Sequence, residues 1–298
     1  MQTARFHLPG LFEFYDFYKV FLPLFRAHRE YFYAWADIAS LYGAPSDCLW
    51  SGGRFGGGET NAAEVLALTR EYGISARLTF SNSLLREEHL ADRKCNRLCA
   101  LFEKNGSTEN GVIVHSELLL RYLQKQYPGL YLVSSTTKVL TDFRAFSEEL
   151  RRKEFRYVVP DFRLNKQWTL LRSLTEAEKN KVEFLCNVCC PVSCRDRKAC
   201  YENVSRRVLG EDCSEFRCSA SHSDTGYLFS EAMKNPAFIG FKEISEQYLP
   251  CGFSDFKLEG RSLGSALLLE FLLYYTVKPE YQLAVRERIY LNSMLDLF

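Results

Sequence analysis

The chain has 298 residues, enough for one large domain or two ordinary ones, and with 47% hydrophobic and 14% aromatic residues it can bury a sizeable core. Its 38 basic and 37 acidic residues nearly cancel, which argues against the strong positive field of most nucleic-acid binders and leaves nucleic acid a disfavoured partner. The start MQTARFHLPG lacks a signal peptide's apolar core, and the greasiest segment, LGSALLLEFLLYYTV, is short of a bilayer span and is broken by Glu270, so a cytoplasmic chain with no membrane segment is expected.

Strand-like and helix-like stretches alternate from end to end, with no Pro/Gly/Ser-rich linker between them. A strand over 5–8 leads into a helix over 14–30, and a strand over 37–42 into the loop GAPSDCLWSGGRFGGG and a helix over 61–72. Strand 75–80 then precedes helix 83–91, strand 111–114 precedes helix 117–126, and strand 130–134 precedes helix 141–152. Strands over 157–160 and 182–185 follow, and the last pair is strand 255–259 with helix 262–276, leaving 279–298 as a C-terminal accessory helix. Eight strands in one domain spanning 1–298 predict a closed (β/α)8 barrel of the TIM type. A doubly wound open sheet is the competitor, but it usually has fewer strands, and no Gly-x-Gly-x-x-Gly turn follows the first one.

A barrel of this kind carries its chemistry on the loops that follow the strands. Gly52, Gly53, Gly56, Gly57 and Gly58 beside Arg54, after the second strand, would let backbone amides approach an anion, or simply give flexibility. In DFKLEGR, Lys257, Glu259 and Arg261 alternate with Phe256 and Leu258, so a strand sends the three charges to one face and the apolar residues towards the helices. The charges then either plug the barrel as paired ions or meet a substrate at its mouth. Asp161 and Arg163 after the sixth strand, and Lys138 in SSTTK after the fifth, fall at the same rim. Arg54, Lys138, Arg163, Lys257 and Arg261 are therefore candidate binders of a small carboxylate or a phosphate, with Glu259 and Asp161 as candidate proton-transfer groups. Only His115 among the histidines directly follows a strand, and no Gly-x-Ser-x-Gly elbow is present, which disfavours a Ser/His/Asp centre.

Seven of the eleven cysteines lie between 186 and 218, four of them in LCNVCCPVSC. In a reducing compartment such crowding favours ligation or free thiols over disulfides. Cys190 and Cys194 can turn to one point from a loop broken by Pro191, and Cys218 is a candidate third ligand; Cys186 and Cys189 could replace or supplement them. Cys48, after the second strand, belongs to the same rim as a fourth thiolate or is a small buried thiol. Cys95 and Cys99, spaced as helix neighbours, read as packing, and Cys200, Cys213 and Cys251 as spectators, although Cys213 could exchange roles with Cys218. Four thiolates suffice for a 4Fe-4S cluster; zinc is the alternative, but the spacing does not match a zinc ribbon.

The segment FKLEGR resembles the FKIEGR of the collagenase-like peptidase family U-thirty-two. The similarity extends to YGAP followed by Arg54, to SSTTK and to the CxxxC at Cys190 and Cys194, in order over about residues 37 to 264. The resemblance implies a barrel, and for several members, including oxygen-independent hydroxylases of ubiquinone synthesis and RNA modification, a 4Fe-4S cluster on four cysteines with prephenate as oxygen donor. Cys48 with Cys190 and Cys194 could reproduce one such ligand set. On this footing the leading expectation is an iron-sulfur oxidoreductase of hydroxylase type that acts with a small carboxylate, prephenate among the candidates. The rivals are a non-catalytic, metal-stabilised subunit docked on a second barrel protein, and a peptidase, for which neither an HExxH motif nor a nucleophile-base pair is present.

Overall fold

Short runs of β-branched and aromatic residues, such as GVIV and YLVS, build eight parallel strands. They are β1 (Ala4–Pro9), β2 (Ala36–Gly43), β3 (Ser75–Phe80), β4 (Gly111–Val114), β5 (Tyr131–Ser134), β6 (Phe155–Val158), β7 (Glu183–Leu185) and β8 (Asp255–Lys257). The structure, a computed structural model, describes residues 2–53, 58, 60–104, 108–188, 190–214, 216, 218 and 227–293. The strands pair in the order β6-β5-β4-β3-β2-β1-β8-β7. A parallel bridge between Val158 and Val182, in which the Val158 amide donates to the Lys181 carbonyl at 2.8 Å, joins the two ends of that sheet. The chain is a single (β/α)8 barrel of the TIM type, as the alternation of elements predicts.

Polar caps start several of the outer helices: Asn61 accepts from the Ala63 amide, Ser116 from Leu119 and Asp142 from Ala145. The third crossover helix is Arg93–Glu103 and not the expected 83–91, where a short 3-10 turn, Glu87–Ala91, stands instead. Asp92 caps the real helix through the Cys95 amide, and Cys95, Leu98, Cys99 and Phe102 form its buried face. β6 begins two residues earlier than expected and β8 stops at Lys257. The helix Arg197–Val208, which follows the cysteine loop, was not anticipated, whereas Gln282–Ser293 falls where an accessory helix is expected and packs on the first helix, Tyr15–Ala27. Among the described residues no helix is long and apolar enough to cross a membrane.

Alternation along the strands divides the interior. Phe6, Leu8, Phe184, Phe256 and Leu258 join the large core beneath the helices. Inside the barrel a separate apolar layer contains Tyr42, Ile113, Val133, Val159, Phe162 and Leu185. Below it, across β1, β3, β7 and β8, lies a layer of buried charge.

Candidate functional site

The hub of that layer is Glu183, fully buried on β7. Its Oε2 accepts from Arg77 Nη1 at 2.5 Å and its Oε1 from Lys257 Nζ at 3.1 Å, while His7 Nε2 stands 3.6 Å away. His7 also pairs with Asp255 at 3.0 Å and with Ser40 at 2.8 Å, and Arg77 donates to the Tyr131 hydroxyl at 2.7 Å. Burial alone would raise the Glu183 pKa, but Arg77, His7 and Lys257 together hold it well below the usual carboxylate range. Burial pulls Lys257 the other way, down to about 8, with Arg77 and Arg261 adding to the effect and Glu183 opposing it.

Above this layer the strand ends open into a cavity of about 50 Å³, room for a few waters or part of a small acid. Lys257, Glu259 and Arg261 all line it, facing Tyr42, Tyr201 and the hydroxyls of Thr79, Ser81 and Thr137. Arg261 Nη1 donates to Thr79 Oγ1 at 3.0 Å, and Lys257 Nζ lies 3.7 Å from the centre of the Tyr42 ring. The Tyr42 hydroxyl donates to the Leu258 carbonyl at 2.5 Å, fixing that ring. Glu259 is held by its backbone: the Asn187 side chain accepts from its amide at 2.7 Å and donates to its carbonyl at 2.9 Å, extending the β7/β8 pairing past the strands. Two glycines of the loop after β2 close the rim. A Cβ on Gly52 would come within 2.5 Å of the Ser81 backbone, and Gly53, at φ +74°, passes Arg261 so closely that a Cβ would meet Nη2 at 3.0 Å.

Of the other candidate binders, Lys138 is placed elsewhere. The short helix Thr136–Lys138 swings it outward, where it pairs with Glu149 at 2.6 Å and Glu117 at 3.3 Å, so Thr136 and Thr137 reach the cavity and Lys138 does not. Arg163 serves the fold of the cysteine loop: it pairs with Asp161 at 2.8 Å, donates to the Val192 carbonyl at 2.9 Å and also donates to the Cys194 carbonyl. Asp161 is fully buried, and its second oxygen lies 3.7 Å from Arg197 Nε, so it acts as a counter-ion between two arginines. Arg54, together with Gly56 and Gly57, lies outside the described residues. His115 donates to or accepts from Thr137 Oγ1 at 2.8 Å, and burial, helped by Lys138 and Lys198, lowers it to about 4, so it is neutral at pH 7.

The candidate ligands of a metal are spread over different environments. The loop after β2 folds outward, with Trp50 buried edge-on against Phe80 and Tyr122 and its indole donating to the His89 carbonyl at 2.7 Å. This carries Cys48 into the core, where its thiol hydrogen-bonds that of Cys95 on the Arg93–Glu103 helix, and burial pushes Cys95 and Cys99 up. Cys190 and Cys194 are half-buried on the loop after β7, the Cys190 carbonyl accepting from Asn235 at 2.8 Å; Cys218 is exposed. Cys186 is sealed in the core with its thiol directed at the Phe184 carbonyl, and Cys189 lies outside the described residues. Among the described residues, no group of three or more His, Cys, Asp or Glu is placed to hold a metal ion. Cys48, Cys190, Cys194 and Cys218 are not gathered into such a group among the described residues.

Two parts of the site escaped the sequence. Glu183 was hidden in the apolar run VEFL, where the signal was a lone acid at an inward position of a strand whose partner strand carries Lys257. Arg197 is the other: buried between the rings of Phe162 and Tyr201, it donates to Thr136 Oγ1 at 3.4 Å, and among the described residues its Nη1 has no hydrogen-bond partner. Nothing in CRDRKAC separates it from its basic neighbours before the helix is known.

No family model and no curated protein matches the chain. Among solved structures it is similar to that of the U32 peptidase Mk0906, with a TM-score of 0.51 and 12% sequence identity over 86% of this chain and 92% of the other. At that identity the likeness concerns the fold, and the chain shares the barrel architecture of a U32 peptidase.

Proposed function

We propose that the chain binds a small carboxylate at the C-terminal mouth of the barrel, with Arg261 as its principal anchor and Lys257 beside it. The supporting observation is the convergence of two cations from one strand end on a cavity whose other polar groups are mostly hydroxyls. Lys257 is tied to a buried acid below, whereas among the described residues Arg261 hydrogen-bonds a threonine hydroxyl and, at 3.5 Å, the Gly52 carbonyl. A guanidinium in that setting is matched by an anion with two oxygens in one plane. Neutral at pH 7, His115 adds no charge but orients Thr137 at the wall. Glu259, fixed by Asn187, is the acid nearest to hand for proton transfer to a bound ligand.

Calorimetric titration of the full chain with lactate at low salt is the test. Saturable binding is expected, weakened by about tenfold or more in Arg261→Met, the worth of a charge-assisted pair; equal affinity in the two proteins overturns the reading. The iron-sulfur hydroxylase reading, with zinc as its alternative, applies to the segment 186–218 and is supported only by the shared loop of Cys190 and Cys194 and the resemblance of FKLEGR. Anaerobic purification with iron, sulfide and zinc assays decides it, and stoichiometric iron with matching sulfide is the result it needs.

A further inference from the structure

We infer that Lys257 is a covalent nucleophile whose amine condenses with the carbonyl of a small 2-oxo acid held at Arg261. This rests on the carboxylate reading above and adds chemistry to it. Lys257 lines the cavity from below, and Arg261, four residues on, lines the same cavity. A carboxylate on Arg261 therefore sets the neighbouring carbonyl carbon of such an acid towards Nζ, the geometry that makes an intramolecular attack fast.

The ion pairs beneath allow the lysine to give up its proton. If Lys257 served only to neutralise Glu183, it would be surplus, because Arg77 already holds that carboxylate at 2.5 Å and His7 stands at 3.6 Å. Loss of the Lys257 proton leaves Glu183 paired and leaves no buried charge alone. The groups facing Nζ are Glu183 and the Tyr42 ring, which favour the ammonium, and Arg77 and Arg261, which favour the amine. Burial tips the balance, and at about 8 the lysine carries a useful fraction of free amine near neutrality.

The step balances without an oxidant. The amine lone pair forms a C–N bond as the carbonyl π pair takes a proton, giving a carbinolamine; the nitrogen then loses its protons as the hydroxyl leaves as water. Amine and carbonyl become an imine and one water, and a proton returned to the imine nitrogen gives the iminium that cyanoborohydride reduces. Glu259 and the Thr79 and Thr137 hydroxyls border the space in which those protons move.

The full chain is incubated with pyruvate and sodium cyanoborohydride, and its peptides are mapped by mass spectrometry. One reduced adduct on Lys257 is expected, with an initial rate that rises about tenfold from pH 7 to pH 9 as the amine fraction grows. Lys257→Arg, which keeps a cation opposite Glu183, should carry none, and lactate should slow the wild-type reaction. Absence of the adduct, or labelling of surface lysines at the same rate, overturns the inference. If lactate still binds calorimetrically in that case, the carboxylate reading stands; if it does not, both fall.

Discussion

Glu183 and Lys257 meet across β7 and β8, Oε1 of one 3.1 Å from Nζ of the other, at the boundary between the buried charge layer and the open mouth. Glu183 also neutralises Arg77, so two buried cations share this one carboxylate. Replacing it, as in Glu183→Gln, leaves a buried guanidinium without its counter-ion and is expected to cost about 3–5 kcal/mol, read from urea unfolding. A loss below about 1 kcal/mol would show that the network is not closed in the way described.

Lys257 gives the protein a pH signature. Its folded pKa, about 8, is depressed below the ordinary lysine value of about 10.4, so between these values the unfolded chain binds a proton that the folded chain does not. The contribution of Lys257 to stability should therefore rise with pH across that window, by up to about 3 kcal/mol. The Lys257→Met variant should lack this rise, which denaturant midpoints from pH 7.5 to pH 10.5 would reveal. The buried thiols of Cys95 and Cys99, pushed up by burial, lower both proteins' stability over this range, so the test is the difference between them: a wild-type advantage that shrinks as pH rises has the wrong sign for this account.

Asp161 holds the cysteine loop through Arg163, whose guanidinium donates to the carbonyls of Val192 and Cys194. Arg163→Met should loosen residues 190–196, seen as faster amide exchange there with little change in β4 or β5. Asp161→Ala should do more, about 3 kcal/mol in unfolding free energy, because it also deprives buried Arg197 of its counter-ion.

Cys48 lies against Cys95 in the core. Cys48→Ala is expected to destabilise the chain by about 1–2 kcal/mol, as small core truncations do, and to leave any bound iron or zinc unchanged. Loss of metal with unaltered stability would return Cys48 to the rim of the barrel.

The alternation of charge in DFKLEGR made the mouth legible, because a strand has only two faces and the apolar residues claim the outer one. Glu183 is hidden from the same logic by its three apolar neighbours, Val182, Phe184 and Leu185. Lys138 shows why distance in sequence from a strand end is a poor guide: one 3-10 turn carries it from the mouth to the helix layer. A similar turn, Glu87–Ala91, stands where the third helix is expected, although Asp92 ahead of Cys95, Leu98, Cys99 and Phe102 is a cap followed by helical spacing. Cys48 lies in the core because the loop after β2 is drawn outward by Trp50, a tertiary preference that no spacing encodes.

A crystal structure of the chain with lactate bound tests the central claim most directly. The account predicts the carboxylate oxygens within hydrogen-bond distance of the Arg261 guanidinium, inside the cavity bounded by Tyr42, Thr79 and Tyr201. Lactate bound elsewhere on the barrel while that cavity holds only water would contradict it.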